Sequence, residues 1–454
     1  MTILYVFLVL YLASLSMANH EPAVRLRITQ KGLDYAMKNA MDIAVKKLEN
    51  QSLPNVSKNV AFLFLSVAFK NMKIYGVNIS SSSLLPFPDG GMHARLNKIR
   101  FNVKGMWNMA LGKIEIDSGT FDVAVKDLSI TLLTDIEVNS GRLTVGNITC
   151  VSTLDGVDTK FGQKNSFPSM FQSTINKFIR KKIPEITCSE GKKSITQELN
   201  DLLLKFPIKT TDPKNLVTLD YSVVKALDYN VDSVDIFLKG EFSTSNGSNS
   251  WLHQPASLPF DGSRDRMVYV TIMDDMINSA SHAYFNQGMM SFQTSKSHLK
   301  SRAAISVGTN LTIQFSARSP PHIIISSSGL HFNLRLKSKI TAVLPLNVIK
   351  HIYVLTNVSA TAVLRLSGAK LNTKISDLKI VSRVMKISSL STFLGKENKI
   401  KNIVKNEIET LIADATSEIE LPLPLSETFQ LIKPKITYGK GFVTLETDIL
   451  YKGP

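Results

Sequence analysis

The stretch Val24-Arg-Leu-Arg-Ile-Thr-Gln-Lys-Gly-Leu-Asp-Tyr-Ala36 changes from a strand pattern to a helix pattern within a few residues. Residues 23–30 read as a strand. From Gln30 to Leu48 the apolar positions Leu33, Met37, Ala40, Met41, Ala44, Val45 and Leu48 fall on one helical face. Lys31, Lys38, Lys46 and Lys47 lie mostly off that face, and Pro54 stands beyond its end.

Upstream, Ile3 to Leu15 is an apolar run followed by Ser16-Met17-Ala18, the small-x-small pattern of a signal-peptide cleavage site. The run is too short for a membrane anchor, since spanning takes about 20 apolar residues. Residues 1–18 are therefore expected to be removed, leaving a soluble, secreted chain. Seven sequons accord with that route: Asn50, Asn55, Asn78, Asn147, Asn246, Asn310 and Asn357. Those that are glycosylated should lie on the surface.

The chain has 454 residues, 44% hydrophobic and 20% charged, enough for two or three domains with substantial cores. Its only cysteines are Cys150 and Cys188. In an oxidising compartment the simplest reading is one disulfide, with two buried thiols as the alternative. The net charge of +16 points to anionic partners, acidic glycans or lipid head groups for a secreted protein, or else to solubility alone. Residues 301–400 carry 14 basic against 2 acidic side chains. A second basic stretch, Lys58, Lys70, Lys73, Arg95, Lys98, Arg100 and Lys104, has only Asp89 against it and is the candidate contact for anionic head groups.

Residues 60–150 read as strands joined by turns, with Pro86-Phe-Pro-Asp-Gly-Gly91 a turn cluster and Phe121 to Leu132 partly alternating. Helical periodicity returns from Ser169 to Ile183 through Phe171, Ile175, Phe178 and Ile179, and Pro184 is expected to close it. A further helix is expected from Ser194 to Phe206. Ser233 to Phe242 reads as a strand, and Ser243 to Gly262 as a surface crossover. The second half repeats the order: a strand from Arg266 to Ile272, a helix from Asp274 to Met290, strands from about Ala303 to Ser382, a helix from about Leu390 to Ala415, and a strand pair over Ile432 to Leu450. No residue-level repeat accompanies this order.

The search for catalytic chemistry is nearly empty. The eight histidines (His20, His93, His253, His282, His298, His322, His331 and His351) form no i,i+4 metal pair, and no His-Glu-x-x-His, Gly-x-Ser-x-Gly, Walker or dinucleotide pattern is present. Asp274-Asp275 fits the acidic first turn of a helix. No catalytic residue, metal or nucleic-acid partner is expected.

Several blocks, in order, resemble the bactericidal/permeability-increasing and lipopolysaccharide-binding family. They are the opening stretch; Lys104-Gly-Met-Trp-Asn108 with Gly119-Thr-Phe-Asp-Val-Ala-Val125; Asp265-Arg-Met-Val-Tyr-Val270; Ser319-Pro-Pro-His-Ile323 with Gly329-Leu330; and Leu423-Pro-Leu425 with Asp448-Ile-Leu-Tyr-Lys452. The resemblance implies an α+β boomerang of two barrels. Each would be a twisted antiparallel sheet wrapped on two long helices, and a central antiparallel sheet would join them. The implied division is 19–210 for the N-terminal barrel, 211–262 and 421–454 for the central sheet and linker, and 263–420 for the C-terminal barrel. Cys150 and Cys188 fall where the family's shared disulfide is expected. Each barrel would hold phospholipid. Leu33, Met37, Ala40, Met41 and Ala44, with Phe171, Ile175 and Phe178, become the candidate acyl-chain contacts.

One departure stands out. Endotoxin-binding members resemble one another in lysines at the N-terminal barrel tip. Here the matching hairpin, Lys104 to Lys113, is basic only at its ends, and Asn59-Val-Ala-Phe-Leu-Phe-Leu-Ser66 is apolar. The expectation is a secreted, monomeric, non-enzymatic protein of innate immunity that binds phospholipid or lipopolysaccharide at a membrane or bacterial outer-membrane surface, with no cofactor beyond bound phospholipid. The alternatives are a cationic bactericidal protein and a phospholipid transfer protein.

Overall fold

The computed structural model describes residues 21–60, 65–88, 90–162, 169–247, 264–295, 310–344, 346, 348–367, 370–386, 397–415 and 429–452. The expected leader, residues 1–18, lies outside them. In the described residues the opening stretch forms strand β1, Val24–Thr29, which runs without a break into helix α1, Gln30–Leu48. The helix boundaries agree with the apolar periodicity.

β1 does not line a barrel. It sits in the middle of a six-stranded antiparallel sheet, between β11 (Ser233–Leu238) and β13 (Val268–Met273). β10 (Asp228–Asn230) lies beyond β11, and β21 (Phe442–Tyr451) and β20 (Phe429–Gly439) lie beyond β13. The register is symmetric. Leu26 faces Val270, and Val24 faces Ile272 just as Ile28 faces Val268. A quasi-twofold axis thus passes through the Leu26–Val270 pair. Each central strand leads directly into a helix, α1 after β1 and, after β13, Asp274–Asn286. The repeat invisible at residue level is a repeat of strand order.

The expected strand from Ser233 to Phe242 is two strands. Gly240, at φ +62°, ends β11, and a side chain there would meet Val24 Cγ2 at 2.6 Å. The chain then turns into β12, Glu241–Thr244, which pairs with β9 (Val217–Asp220) and through it with β8 (Lys209–Thr211). Residues 248–262 of the expected crossover lie outside the described residues.

The N-terminal barrel is one long meander. β2 (Ser52–Leu53), β4 (Leu65–Pro86), β5 (Met92–Leu111), β6 (Ile114–Asn139) and β7 (Arg142–Phe161) pair in that order, and β3 (Val56–Val60) pairs with β4. Its core gathers Phe69, Trp107, Phe121, Val123, Val125, Leu128 and Val157. The partial alternation from Phe121 to Leu132 has a structural cause. A bulge at Asp127, φ +56°, against β5 shifts the buried set from Val125 to Leu128. Gly105 and Gly119 admit the rings: a Cβ on Gly105 would meet Phe121 at 2.8 Å, and one on Gly119 would meet Trp107 at 3.0 Å.

The helix expected to stop at Pro184 continues. A single helix, Ser169–Leu204 (α2), runs through the proline along β7. Proline removes one backbone bond and crowds the preceding turn. Packing along the sheet, and a covalent tie one turn later, override that local preference.

The C-terminal barrel pairs β14 (Ser291–Ser295), β15 (Asn310–Ala317), β17 (Gly329–Leu344), β18 (Val348–Ser367) and β19 (Lys370–Lys386), with β16 (His322–Ser326) on β17. Its helices are α3 (Asp274–Asn286) and α4 (Glu397–Ala415). Ile400, Ile403, Val404 and Ile408 of α4 close over Ile313, Phe315, Ile340, Ile352 and Val354.

Candidate functional site

The two barrels treat their helices differently. In the C-terminal barrel Ile400 and Val404 are wholly buried and Ile408 nearly so. Helix α1 has a comparable apolar stripe, yet only Leu33 and Met37 of its large side chains are buried. Leu33 belongs to the core beneath the central sheet. Further along, Met41 and Ala44 are half-buried and Ala40 is exposed, and Ile43 is 40% exposed. Leu199 and Leu202 of α2 are likewise exposed. The two helices are tied at this end by Lys47 Nζ, 2.8 Å from Glu198 Oε1. Two amphipathic helices thus pack on β4 and β7 with part of their apolar surface left unburied, surface that an acyl chain could cover.

Of the expected contacts on α2, Phe171, Ile175 and Phe178 fall in the helix, but their side chains lie outside the described set. Ile179 and Ile183, not singled out from the sequence as contacts, pack against the barrel core. Their i,i+4 spacing was the available signal.

The basic residues expected near head groups line the outer face of the β4–β5 ladder. Lys70, Lys73, Arg95, Lys98, Arg100 and Lys104 are exposed; the side chain of Lys58, on β3, lies outside the described set. They do not form one cluster. Lys73 faces Lys104 directly, Lys70 lies one step away opposite Met106, and Arg100 and Arg95 face Asn78 and Ser83 further along. Arg100 is paired with Asp127 at 3.2 Å. The row containing Lys73 and Lys104 continues through Asp122 to Lys160, a cation the sequence reading missed. Lys104 Nζ lies 4.4 Å from the Tyr75 ring centroid, and Tyr75 donates to Asp122 Oδ2 at 2.5 Å. Burial and the Asp122 carboxylate push the Tyr75 phenol far above its ordinary pKa, so it remains a donor. Like charges directly opposite one another destabilise a sheet. A bound anion between Lys73 and Lys104 would relieve that.

The tip hairpin exposes apolar side chains beside the charged Lys113 and Glu115, and residues 61–64 of the other segment expected to be apolar there lie outside the described residues. β5 and β6 turn at Gly112-Lys113, where Leu111, Ile114 and Ile116 are exposed. Lys104 lies seven residues down the strand, roughly 24 Å from the turn. On the other side of the barrel, Cys150 of β7 and Cys188 of α2 form a disulfide, with Cα atoms 5.7 Å apart. Asn50, Asn55, Asn78, Asn147, Asn246 and Asn357 are exposed; the side chain of Asn310 lies outside the described set.

A Ser–His–Thr arrangement is present at the β16–β17 turn. His331 Nε2 lies 2.7 Å from Ser326 Oγ and 2.9 Å from Ser328 Oγ, and its Nδ1 lies 3.0 Å from Thr361 Oγ1. Thr361 has no charge to stabilise an imidazolium, as the carboxylate of a catalytic triad does. Ser326 Oγ also accepts from Ser328 N at 3.2 Å. The arrangement locks a hairpin. Among the described residues no group of three or more His, Cys, Asp or Glu is placed to hold a metal, and no helix is long and apolar enough to cross a membrane.

Two barrels on a shared sheet, with a pair of incompletely buried amphipathic helices in one of them, define a boomerang-shaped fold of the lipid-carrying type. A model described as the N-terminal domain of the LBP / BPI / CETP family matches residues 32–201, and one described as its C-terminal domain matches residues 211–451. The chain belongs to this family. It is 26% identical over 459 residues to a lipopolysaccharide-binding protein of Bos taurus, covering 95% of this chain and 94% of that one. A bactericidal permeability-increasing protein of Sebastes schlegelii is 22% identical, covering 95% and 96%. A phospholipid transfer protein of Mus musculus is 22% identical, covering 97% and 92%. A crystal structure of lipopolysaccharide binding protein superposes with a TM-score of 0.62 at 22% identity, over 95% of this chain and 100% of that one, and shares the fold.

Proposed function

We propose that this protein is a secreted, non-enzymatic, monomeric lipid-binding protein of innate immunity to Gram-negative bacteria. It holds the acyl chains of phospholipid or lipopolysaccharide, and needs no cofactor beyond that lipid. The supporting observation is the apolar stripe of α1, of which Leu33 and Met37 are buried while Met41 and Ala44 are only half-buried and Ala40 is exposed. Burying a methylene contributes roughly 0.8 kcal/mol, so two acyl chains supply ample affinity without a polar site. Lys70, Lys73, Lys104 and Lys160 supply phosphate contacts on the outer face, away from the tip. The relatives named for lipopolysaccharide, bacterial permeability and phospholipid transfer support the same class of ligand.

The exposed apolar side chains of the tip hairpin favour a second reading, transfer of phospholipid between surfaces. Exposed Leu111, Ile114 and Ile116 suit contact with a lipid surface better than pairing with endotoxin phosphates. Native mass spectrometry of the secreted protein tests the first reading. A co-purifying lipid and uptake of labelled phospholipid are expected, and their joint absence would reject it. Donor-to-acceptor exchange of that lipid distinguishes transfer from storage.

A further inference from the structure

The outer face of the C-terminal barrel carries cations that an acyl-chain pocket leaves unused. Along β19, Ile380 and Val384 pack toward the barrel core, while Lys379, Val381, Arg383 and Met385 point away from it. Lys379 stands opposite Ser359, Val381 opposite Asn357, and Arg383 opposite Leu355. The next strand continues the rows with Asn333, Arg335 and Lys337. Arg335, Lys337, Lys379 and Arg383 are all exposed, and among the described residues none is joined to a carboxylate; the ion pairs of this barrel's helix are Lys401–Glu397 and Lys405–Glu409. Lys337 Nζ lies 5.0 Å from the Tyr353 ring centroid. Between these cations Val381 is 67% and Met385 57% exposed. Outward positions repeat about every 6.8 Å along a strand and strands lie about 4.8 Å apart, so the patch spans roughly 20 by 10 Å.

We propose that this face docks on an anionic phospholipid surface. Arg335, Lys337, Lys379 and Arg383 pair with lipid phosphates and carboxylates, and Val381 and Met385 enter the boundary between head groups and acyl chains. A sulfated glycan would satisfy the cations and leave both apolar side chains in water. A second copy meeting this face about a twofold axis would set the same cations against one another. The proposal stands apart from the acyl-chain reading, because the face lies outside the barrel.

Asn357 opens a sequon and lies between Arg335 and Val381 across both strand pairs. A glycan there would hold the face away from a bilayer. The experiment therefore uses the full chain carrying Asn357→Gln, floated with phosphatidylcholine vesicles with and without phosphatidylserine. Binding is expected with phosphatidylserine only, weakening with salt. Lys379→Glu with Arg383→Glu should weaken it at least tenfold, about the effect of reversing two charges near such a surface. Val381→Ser with Met385→Ser should weaken it at every salt concentration. All four positions are exposed, and unchanged melting of each variant verifies the fold. Equal binding after charge reversal, or equal binding to phosphatidylcholine alone, overturns the proposal. So does retention on heparin that the charge reversal abolishes while vesicle binding persists, or self-association lost with Val381→Ser. Co-purified lipid should be unchanged in every variant, which separates failure here from failure of the pocket.

Discussion

Arg27 and Asp235 stand directly opposite one another on β1 and β11, with Arg27 Nε and Nη2 donating to Asp235 Oδ1 and Oδ2 at 2.7 Å each. Both side chains are buried in the central sheet. A buried pair costs desolvation to form, but breaking it leaves a charge without compensation, typically about 3–5 kcal/mol. Arg27→Met alone and Asp235→Leu alone should each lower stability by that amount. The double variant should recover most of the loss. Denaturant unfolding of the three variants is the measurement, and strictly additive losses would show that the pair is not coupled.

The tie between Cys150 and Cys188 closes a separation of 38 residues. In the chain-entropy model its removal, as Cys150→Ser with Cys188→Ser, costs about 4 kcal/mol. Pro184 lies one turn before Cys188 in α2, where an interior proline costs about 3 kcal/mol. Pro184→Ala in the cysteine-free background should therefore restore part of the loss. A lower denaturation midpoint after Pro184→Ala would mean that the kink itself is needed to seat the helix on β7.

The unsealed part of α1 separates binding from folding. Ala44→Glu should reduce the lipid carried through secretion while shifting stability by less than about 1 kcal/mol, because the position is not in a closed core. Val404→Glu, in the sealed helix of the other barrel, places an unpaired charge in a full core and should unfold that barrel or prevent secretion. Lipid load by mass spectrometry and thermal melting read the two effects. Equal damage from both substitutions would argue that α1 packs as tightly as α4.

Asp275, in the first turn of α3, is pushed up to about 7 by burial and by neighbouring Asp274. The helix N-terminus favours its charge, but burial outweighs that. The folded state therefore holds the proton more tightly than the unfolded chain. The stabilising effect of protonation is fully present below about pH 4 and is lost as pH rises through about 7. Asp275→Asn should remove this dependence and stabilise the protein above pH 7, by at most about 4 kcal/mol. Melting temperatures across that range, for wild type and variant, give the answer, and parallel profiles would refute it.

The readable parts of the sequence were the local ones. Helix α1 was delimited by its apolar stripe, and the strand-to-helix switch at Thr29 by the change of period. Pro184 misled because its penalty is local, whereas β7 and Cys150 act on α2 from elsewhere in the chain. The place of β1 was illegible for a similar reason. Its pairing with Ser233–Leu238 and Val268–Met273 spans more than 200 residues, and nothing in Val24–Thr29 names those partners. Lys70, Lys73 and Lys104 were found as basic residues, yet only the register shows that Lys73 and Lys104 share a row with Asp122 and Lys160, that Lys70 lies one step from it, and that Arg95 stands well away. On β19 the order Lys379, Val381, Arg383, Met385 was present as alternation, but which side faced water depended on the core beneath.

The twofold register about Leu26 and Val270 makes the molecule a dimer written as one chain. Its subunit contact joins the backbone hydrogen bonds between β1 and β13 to a side-chain core shared by both halves. Each half supplies three strands of the common sheet and would be left with a raw edge without the other. A cut between Thr244 and Val268 should therefore leave two fragments that remain associated, while either fragment made alone should aggregate along that edge.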